Sequence, residues 1–358
     1  MAAIVAGANS RTPGDSATAH PQLKLQRFSE GAASWRALLA SAPGVTLYHR
    51  ESWARLLTRA YGLSLWLALL EEGTEVIAGC LFARSPISRR FTSLSFSDQC
   101  PPLTRRADGD RQLLERLAAR ADSHASYEVR GIGGVAGWQT VECFANWQLD
   151  LDRSLTRIES GLALNFRRNL RRASRQAITI ERGSSIELVR RFYAMQLQSR
   201  RRMGLPPQPW RFFELAREIF GECGGFEVWI ARENGEDVAS AVFLTDRDVV
   251  YYKWGARRAN YRSLANHLLF WRAIEEFAGR ARILDLGRAD IRNQGLMRFK
   301  AELGASAVTL PSSYYPRAPK QVSSEVLTGG RAFLAGIWSR MPMVATRLAG
   351  RFLYRYLG

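Results

Sequence analysis

Leu284-Asp285-Leu286-Gly287-Arg288, followed shortly by Asn293-Gln294-Gly295-Leu296-Met297-Arg298-Phe299-Lys300-Ala301-Glu302-Leu303-Gly304, is the stretch on which the fold turns. Its first part reads as a short strand over 282–286, apolar apart from Arg282 at its start and one acid, Asp285. Its second part reads as a helix over 296–303 stopped by Gly304, and 307–310 is a last strand. Upstream, the spacing predicts strands at 226–231, 238–244 and 249–254, the last two joined by the tight turn Asp246-Arg247-Asp248, and a helix over 262–278. Helices, a strand meander and then helix, strand, helix, strand make an α/β fold.

The helices that open this unit are legible from periodicity. Leu162, Phe166 and Leu170 form an apolar stripe at i, i+4 and i+8, and Arg167, Arg171 and Arg175 form a parallel basic one. A second helix follows Ser184-x-x-Glu187, read as a capping box, and stops at Gly204 before Pro206-Pro207. Residues 210–220 are helical again. Residues 22–150 read as a further α/β unit, with helices at 34–38, 52–61 and 112–125 and strands at 65–70, 75–82, 92–96, 127–130 and 140–151. Between its last two strands, Gly131-Ile132-Gly133-Gly134-Val135-Ala136 matches a dinucleotide fingerprint in letters only. The residues after it carry no helical stripe, so it reads as a hairpin-like loop.

With 358 residues, 46% of them hydrophobic and 11% aromatic, the chain is long and apolar enough to bury real cores, which excludes wholesale disorder. Cys80, Cys100, Cys143 and Cys223 make no CxxC pair and the four histidines make no HxxxH, so no metal site is expected. Residues 1–21 are small and polar without an apolar run, a leader rather than a signal peptide. No long uncharged apolar segment follows, so the expected location is the cytoplasm, with a peripheral place at the inner face of the plasma membrane as the alternative.

The net charge of +18 is local. Residues 153–202 hold 13 Arg against 3 Glu, and residues 317–358 hold 6 Arg and Lys320 against Glu325. Such clustering points to an anionic partner. The 317–358 tail reads as broken amphipathic helices that either lie on an anionic membrane or dock on the protein. Among 51 basic residues only Lys24, Lys253, Lys300 and Lys320 are lysines. Two of them, in Tyr251-Tyr252-Lys253-Trp254-Gly255 and Arg298-Phe299-Lys300, stand in segments that look like parts of a site, where a compact ammonium differs in use from a guanidinium.

Six segments, in order, resemble the Fem-type aminoacyltransferases and Fem-like proteins of the GNAT superfamily. They are Phe96-Ser97-Asp98-Gln99-Cys100-Pro101-Pro102-Leu103, Arg167-Arg168-Asn169-Leu170-Arg171-Arg172-Ala173, Arg202-Met203-Gly204-Leu205-Pro206, Tyr251-Tyr252-Lys253-Trp254-Gly255, Leu284-Asp285-Leu286-Gly287-Arg288 and Gly295-Leu296-Met297-Arg298-Phe299-Lys300. The resemblance implies two tandem GNAT-like domains, at 22–152 and 153–316. It also implies an amine acylated by an activated carboxyl donor, aminoacyl-tRNA or acyl-CoA, on a lipid- or nucleotide-linked glycan acceptor, without a further cofactor. It matches Lys300 to a lysine beside the reacting ester or phosphate. The stretch 256–264, where coenzyme A-dependent members carry a glycine-rich phosphate loop, has no glycine here.

Amide formation from an ester requires positioning and stabilisation of the charge developing on oxygen. Lys300, Asp285, Tyr252 and Asp98 are the residues expected to serve it, Lys300 at the leaving oxygen, either acid holding the amine and Tyr252 donating to the oxyanion. Arg167, Arg168, Arg171, Arg172, Lys253, Arg288 and Phe299 are expected around substrate and phosphate. The expected function is transfer of an aminoacyl or acyl group to an amine of a cell-envelope glycan or peptidoglycan precursor. The competing expectations are a coenzyme A-dependent N-acetyltransferase of exopolysaccharide synthesis and a non-catalytic basic protein binding membrane or nucleic acid.

Overall fold

The computed structural model describes residues 20–85, 89–122, 125–258 and 263–319. The expectations for the leader (except residues 20 and 21) and for the tail from residue 320 onward lie outside the described residues.

The chain builds one element series twice. The first run is β1 (Gln22–Arg27), α1 (Phe28–Ser41), α2 (Glu51–Tyr61), β2 (Ser64–Glu72), β3 (Glu75–Arg84), β4 (Arg90–Ser93), β5 (Leu103–Thr104), α3 (Gly109–Arg120), β6 (Ser126–Arg130) and β7 (Gln139–Asp150). Two helices, α4 (Leu155–Gly161) and α5 (Leu164–Ala173), lead into the second. It comprises β8 (Ile178–Gly183), α6 (Ile186–Arg202), α7 (Trp210–Gly221), β9 (Phe226–Glu233), β10 (Glu236–Asp246), β11 (Val249–Arg257), α8 (Ala265–Phe277), β12 (Ile283–Asp290), α9 (Gln294–Glu302) and β13 (Ser306–Tyr315).

All strands among the described residues join one sheet in the order β1-β2-β3-β4-β6-β13-β7-β12-β11-β10-β9-β8, with β5 on β3. Each run is an antiparallel meander closed by one parallel pair, β4 with β6 and β11 with β12, across a helical crossover, α3 or α8. The final strands are exchanged. β7 of the first run pairs with β12 of the second, and β13 of the second pairs with β6 of the first. This corrects the hairpin-like loop, because β13 lies between the two strands that Gly131–Ala136 connects.

Three apolar layers hold the sheet. One face carries α1, α2, α6 and α7 over both runs, with Trp35, Trp53, Phe192, Phe212 and Phe213 buried. The other face is covered by α3 in the first run and by α5 and α8 in the second. In β3, alternate residues serve different layers, Leu81 and Ala83 on one side and Cys80 and Phe82 on the other, which is why its sequence is an unbroken apolar run. The stripe Leu162, Phe166 and Leu170 is buried as expected. The cap of α6 is Ser185, not Ser184: the Ser185 side chain accepts from Leu188 N. The strand expected at 92–96 ends at Ser93, because Phe96 takes φ 66 in a turn. β1 and β8 were not foreseen; both are half-exposed edge strands with weak alternation.

Candidate active site

β11 and β12 pair only at Val249–Tyr251 with Ile283–Asp285. Beyond that level the two parallel strands part, and β11 runs on from Tyr252 to Arg257 without β12 beside it. The carboxyl ends of parallel strands at such a divergence are where ligands enter α/β sheets. Both strands are irregular there. In β11, Tyr252 and Trp254 oppose adjacent residues of β10, so Lys253 is the extra residue of a bulge. In β12, Asp285 opposes Gln148 while Arg288 opposes Asn146, a second bulge at Leu286 and Gly287. Bulges re-aim side chains.

Lys253 is aimed at Asp98 of the first run. Its Nζ donates to Asp98 Oδ2 at 2.8 Å and to the Tyr48 hydroxyl oxygen at 3.1 Å, and Tyr48 donates to the same carboxylate oxygen at 2.5 Å. The ammonium lies 4.7 Å from the Tyr48 ring centroid and 5.3 Å from that of Trp53. Burial would raise the Asp98 carboxyl, but the charges of Lys253 and then Arg288 prevail and hold it at about 2. Burial, and the carboxylate beside it, push the Tyr48 hydroxyl well above its ordinary range, so it stays protonated.

The loop carrying Asp98 is fastened. Trp53 Nε1 donates to Ser97 Oγ at 2.8 Å, and His49 Nε2 lies 2.9 Å from the Pro101 carbonyl oxygen. Burial lowers the His49 ring to about 4. The ring is therefore neutral, donating through Nε2 and accepting from Thr46 N at Nδ1.

Opposite, the β12 bulge is held from within. Asp285 Oδ1 accepts from Gly287 N at 2.7 Å, and Oδ2 accepts from Asn146 Nδ2 at 2.9 Å and Gln148 Nε2 at 3.1 Å. Burial raises the Asp285 carboxyl against these bonds. Gly287 has φ 74, and a β-carbon there would stand 3.3 Å from Asp98 Oδ2, so glycine meets both the backbone and the space. Lys300 Nζ donates to the carbonyl oxygens of Gly287, at 2.8 Å, and Arg288, at 3.2 Å.

A cavity of about 390 Å³ opens at the start of α8, lined by Arg172, Gln176, Arg257, Ser263 and Asn266 among others. Among the described residues no group of three His, Cys, Asp or Glu side chains is arranged for a metal ion, and no helix is long and apolar enough to cross a membrane.

The family model of the acetyltransferase (GNAT) domain matches residues 163–301, the segment that contains α5 to α9 and the divergent strand pair. FemX superposes with a TM-score of 0.58 at 14% identity, covering 81% of this chain and 96% of its own. A tandem GNAT protein from the clavulanic acid biosynthesis pathway gives 0.54 at 12%, covering 83% and 100%. The C-terminal domain of a putative lysylphosphatidylglycerol synthetase from Agrobacterium fabrum gives 0.53 at 12%, covering 81% and 93%. Residues 163–301 thus match a GNAT acetyltransferase domain, and the chain as a whole shares the fold of these tandem GNAT and FemX structures. No curated protein sequence matches it.

The expected site residues fall into three places. Asp98, Lys253, Arg288 and Asp285 meet at the cleft, with Arg288 Nε 4.0 Å from Asp98 Oδ1. Tyr252 faces the other side of the sheet, against Phe243 and Phe270, its hydroxyl turned toward Gly255 and pushed up to about 12 by burial. Lys300 is a correction: it is buried behind β12 with its ammonium on two backbone carbonyls, so it braces the strand and does not face a leaving oxygen. Phe299 is half-buried and packs on Phe166, His267 and Phe270. Of the four arginines on α5, Arg172 lines the cavity while Arg168 and Arg171 are exposed on the helix surface and Arg167 is half-buried. Tyr48, Trp53, Asn146 and Gln148 were missed, since each acts through a partner remote in sequence.

Proposed function

We propose that this GNAT acyltransferase forms an amide, moving an aminoacyl or acyl group from a phosphate-bearing donor onto an amine of a cell-envelope glycan or peptidoglycan precursor. The observation that carries this is the parting of β11 from β12 with Lys253 and Asp98 at its mouth. A donor arm laid along β11 runs beside backbone that β12 no longer pairs, and its phosphate reaches the Arg172 and Arg257 cavity at the start of α8. The amine nitrogen attacks the carbonyl carbon; the C–N bond forms, the donor's C–O or C–S bond breaks, and one amine proton ends on the departing oxygen or sulfur.

Asp98 at about 2 remains an anion at any working pH, too weak a base to drive that proton transfer and suited instead to orient the incoming amine. Lys253 supplies positive charge beside the reacting oxygen, and the Tyr48 hydroxyl, donating to Asp98, holds that carboxylate in place. A second reading, coenzyme A-dependent N-acetylation of an exopolysaccharide amine, is favoured by the acetyltransferase domain match and by the compact size of the cavity.

Purified protein incubated with labelled aminoacyl-tRNA or acetyl-CoA and with lipid-linked and nucleotide-linked amino acceptors tests both. Amide product from aminoacyl-tRNA supports the first reading and from acetyl-CoA the second; no amide from either donor with any such acceptor overturns both.

A further inference from the structure

The outer face of α5 carries charge that nothing in the fold answers. Leu164–Ala173 holds four arginines and no acid, and Arg175 follows just past its end. Phe166, Leu170 and Ala173 are buried on the inner side of the helix, in the layer shared with α8. Leu164, Arg168 and Arg171 fall at i, i+4 and i+7 on the opposite side, and all three are exposed, as is Arg175. Arg167 with Arg171 and Arg168 with Arg172 are like-charge pairs at i, i+4, which weaken a helix that has nothing to offset them.

Elsewhere in the structure exposed arginines find carboxylates: Arg36 pairs with Glu51, Arg190 with Glu187 and Arg272 with Glu275. Among the described residues no carboxylate lies within ion-pair distance of Arg168, Arg171 or Arg175. Arg168 donates to Asn165 at 2.7 Å, and Glu302 is turned to that same asparagine. The rest of the chain does not supply the missing charge, since Asp15 is the only acid before residue 20 and Glu325 the only one after residue 319. A second copy, with its net charge of +18, is repelled as a whole. The occupant of this face is therefore an anionic partner from outside. Leu164, 77% exposed in line with the arginines, decides its kind. A leucine gains nothing against a sugar-phosphate backbone, and the exposed side of α5 has no aromatic ring on which a base could stack. Against a bilayer the same leucine enters the acyl boundary while the arginines meet the headgroup phosphates.

We propose that the outer face of α5, with Leu164, Arg168, Arg171 and Arg175, seats the protein on the surface of an anionic lipid bilayer. α5 covers the face of the sheet opposite to the one that carries Tyr48 and Trp53, so the seat is separate from the Lys253 and Asp98 pair and does not depend on the reaction proposed above. Arg172, on the flank of the same helix, lines the cavity at the start of α8, so a seated protein holds that cavity beside the headgroups.

Flotation of the full chain with vesicles of phosphatidylcholine alone, and of phosphatidylcholine mixed with phosphatidylglycerol, tests the seat without any turnover. Filter binding of unfractionated tRNA is the comparison. The parent is expected to float with the mixed vesicles and not with phosphatidylcholine alone. Arg168→Gln, Arg171→Gln and Arg175→Gln together are expected to weaken that binding by about 100-fold, since each arginine near such a surface is worth about fivefold. Arg36→Gln, Arg190→Gln and Arg272→Gln together remove the same charge from paired positions and are expected to change it by less than about threefold. Leu164→Ser is expected to cost about fivefold. A parent that does not float, or floats equally with both vesicles, overturns the seat, as does equal weakening by the two triple variants. Loss of tRNA binding in the α5 triple variant with flotation unchanged reassigns the face to nucleic acid and overturns it too. A Leu164→Ser protein that floats as well as the parent overturns the insertion of the leucine.

Discussion

Lys300 shows what a rare residue type can and cannot reveal. Its scarcity and its place after Phe299 marked it, but sequence does not say which way a side chain near the end of a helix points. In the fold its ammonium satisfies the carbonyls of Gly287 and Arg288, which the β12 bulge leaves without a regular ladder. Lys300→Met keeps the apolar stem and removes those bonds. It is expected to cost roughly 1.5–3 kcal/mol in urea unfolding and to reduce kcat only as far as Gly287 and Arg288 shift. Unchanged stability with activity abolished would restore the direct role. Lys253 and Asp98 were both singled out in the sequence, but their pairing across 155 positions was not legible there.

At the scale of elements, the irregular strands matter more than the regular ones. Periodicity located α5, α7 and the β9 to β12 series because each has one clear apolar stripe or alternation. It could not locate the bulges at Lys253 and Gly287, since a bulge is a relation between two strands. The strand Ile283–Asp290 works because Asp285 folds back on Gly287 N and glycine adopts φ 74 beside Asp98. Gly287→Ala puts a β-carbon into that approach and a non-glycine residue into the left-handed region. A loss of about 1–2 kcal/mol is expected, with a further loss of activity as Asp98 is displaced. Thermal unfolding together with steady-state kinetics checks this; a variant as stable and active as the parent would show that the bulge does not position Asp98.

For the whole molecule, the exchange of final strands makes the two runs one unit. Tandem organisation was readable from the ordered motifs, but exchange was not, because β7 and β13 follow their runs in sequence without pairing to the strand just before them in the first run or closing the second on itself. The candidate cleft is likewise shared: Tyr48, Trp53 and Asp98 come from the first run and Lys253 and Arg288 from the second. Fragments 20–152 and 153–319 expressed separately are expected to be unfolded or aggregated, each with an open central edge, and to recover a folded complex only when expressed together. Circular dichroism and size-exclusion chromatography read this out. A fragment 153–319 that is monomeric and folded by itself would show that the exchange is dispensable.

The account stands most directly on Lys253 and Asp98. The measurement is kcat/KM of Lys253→Met and Asp98→Asn with whichever donor and acceptor prove active, alongside circular dichroism to confirm that both proteins remain folded. Removing a charge that acts at the reacting centre is expected to lower kcat/KM by about 100-fold or more in each, and the double variant by little more than either alone, since the two act as a unit. Folded variants within about threefold of the parent would contradict the placement of the reaction at the mouth of the β11 and β12 cleft.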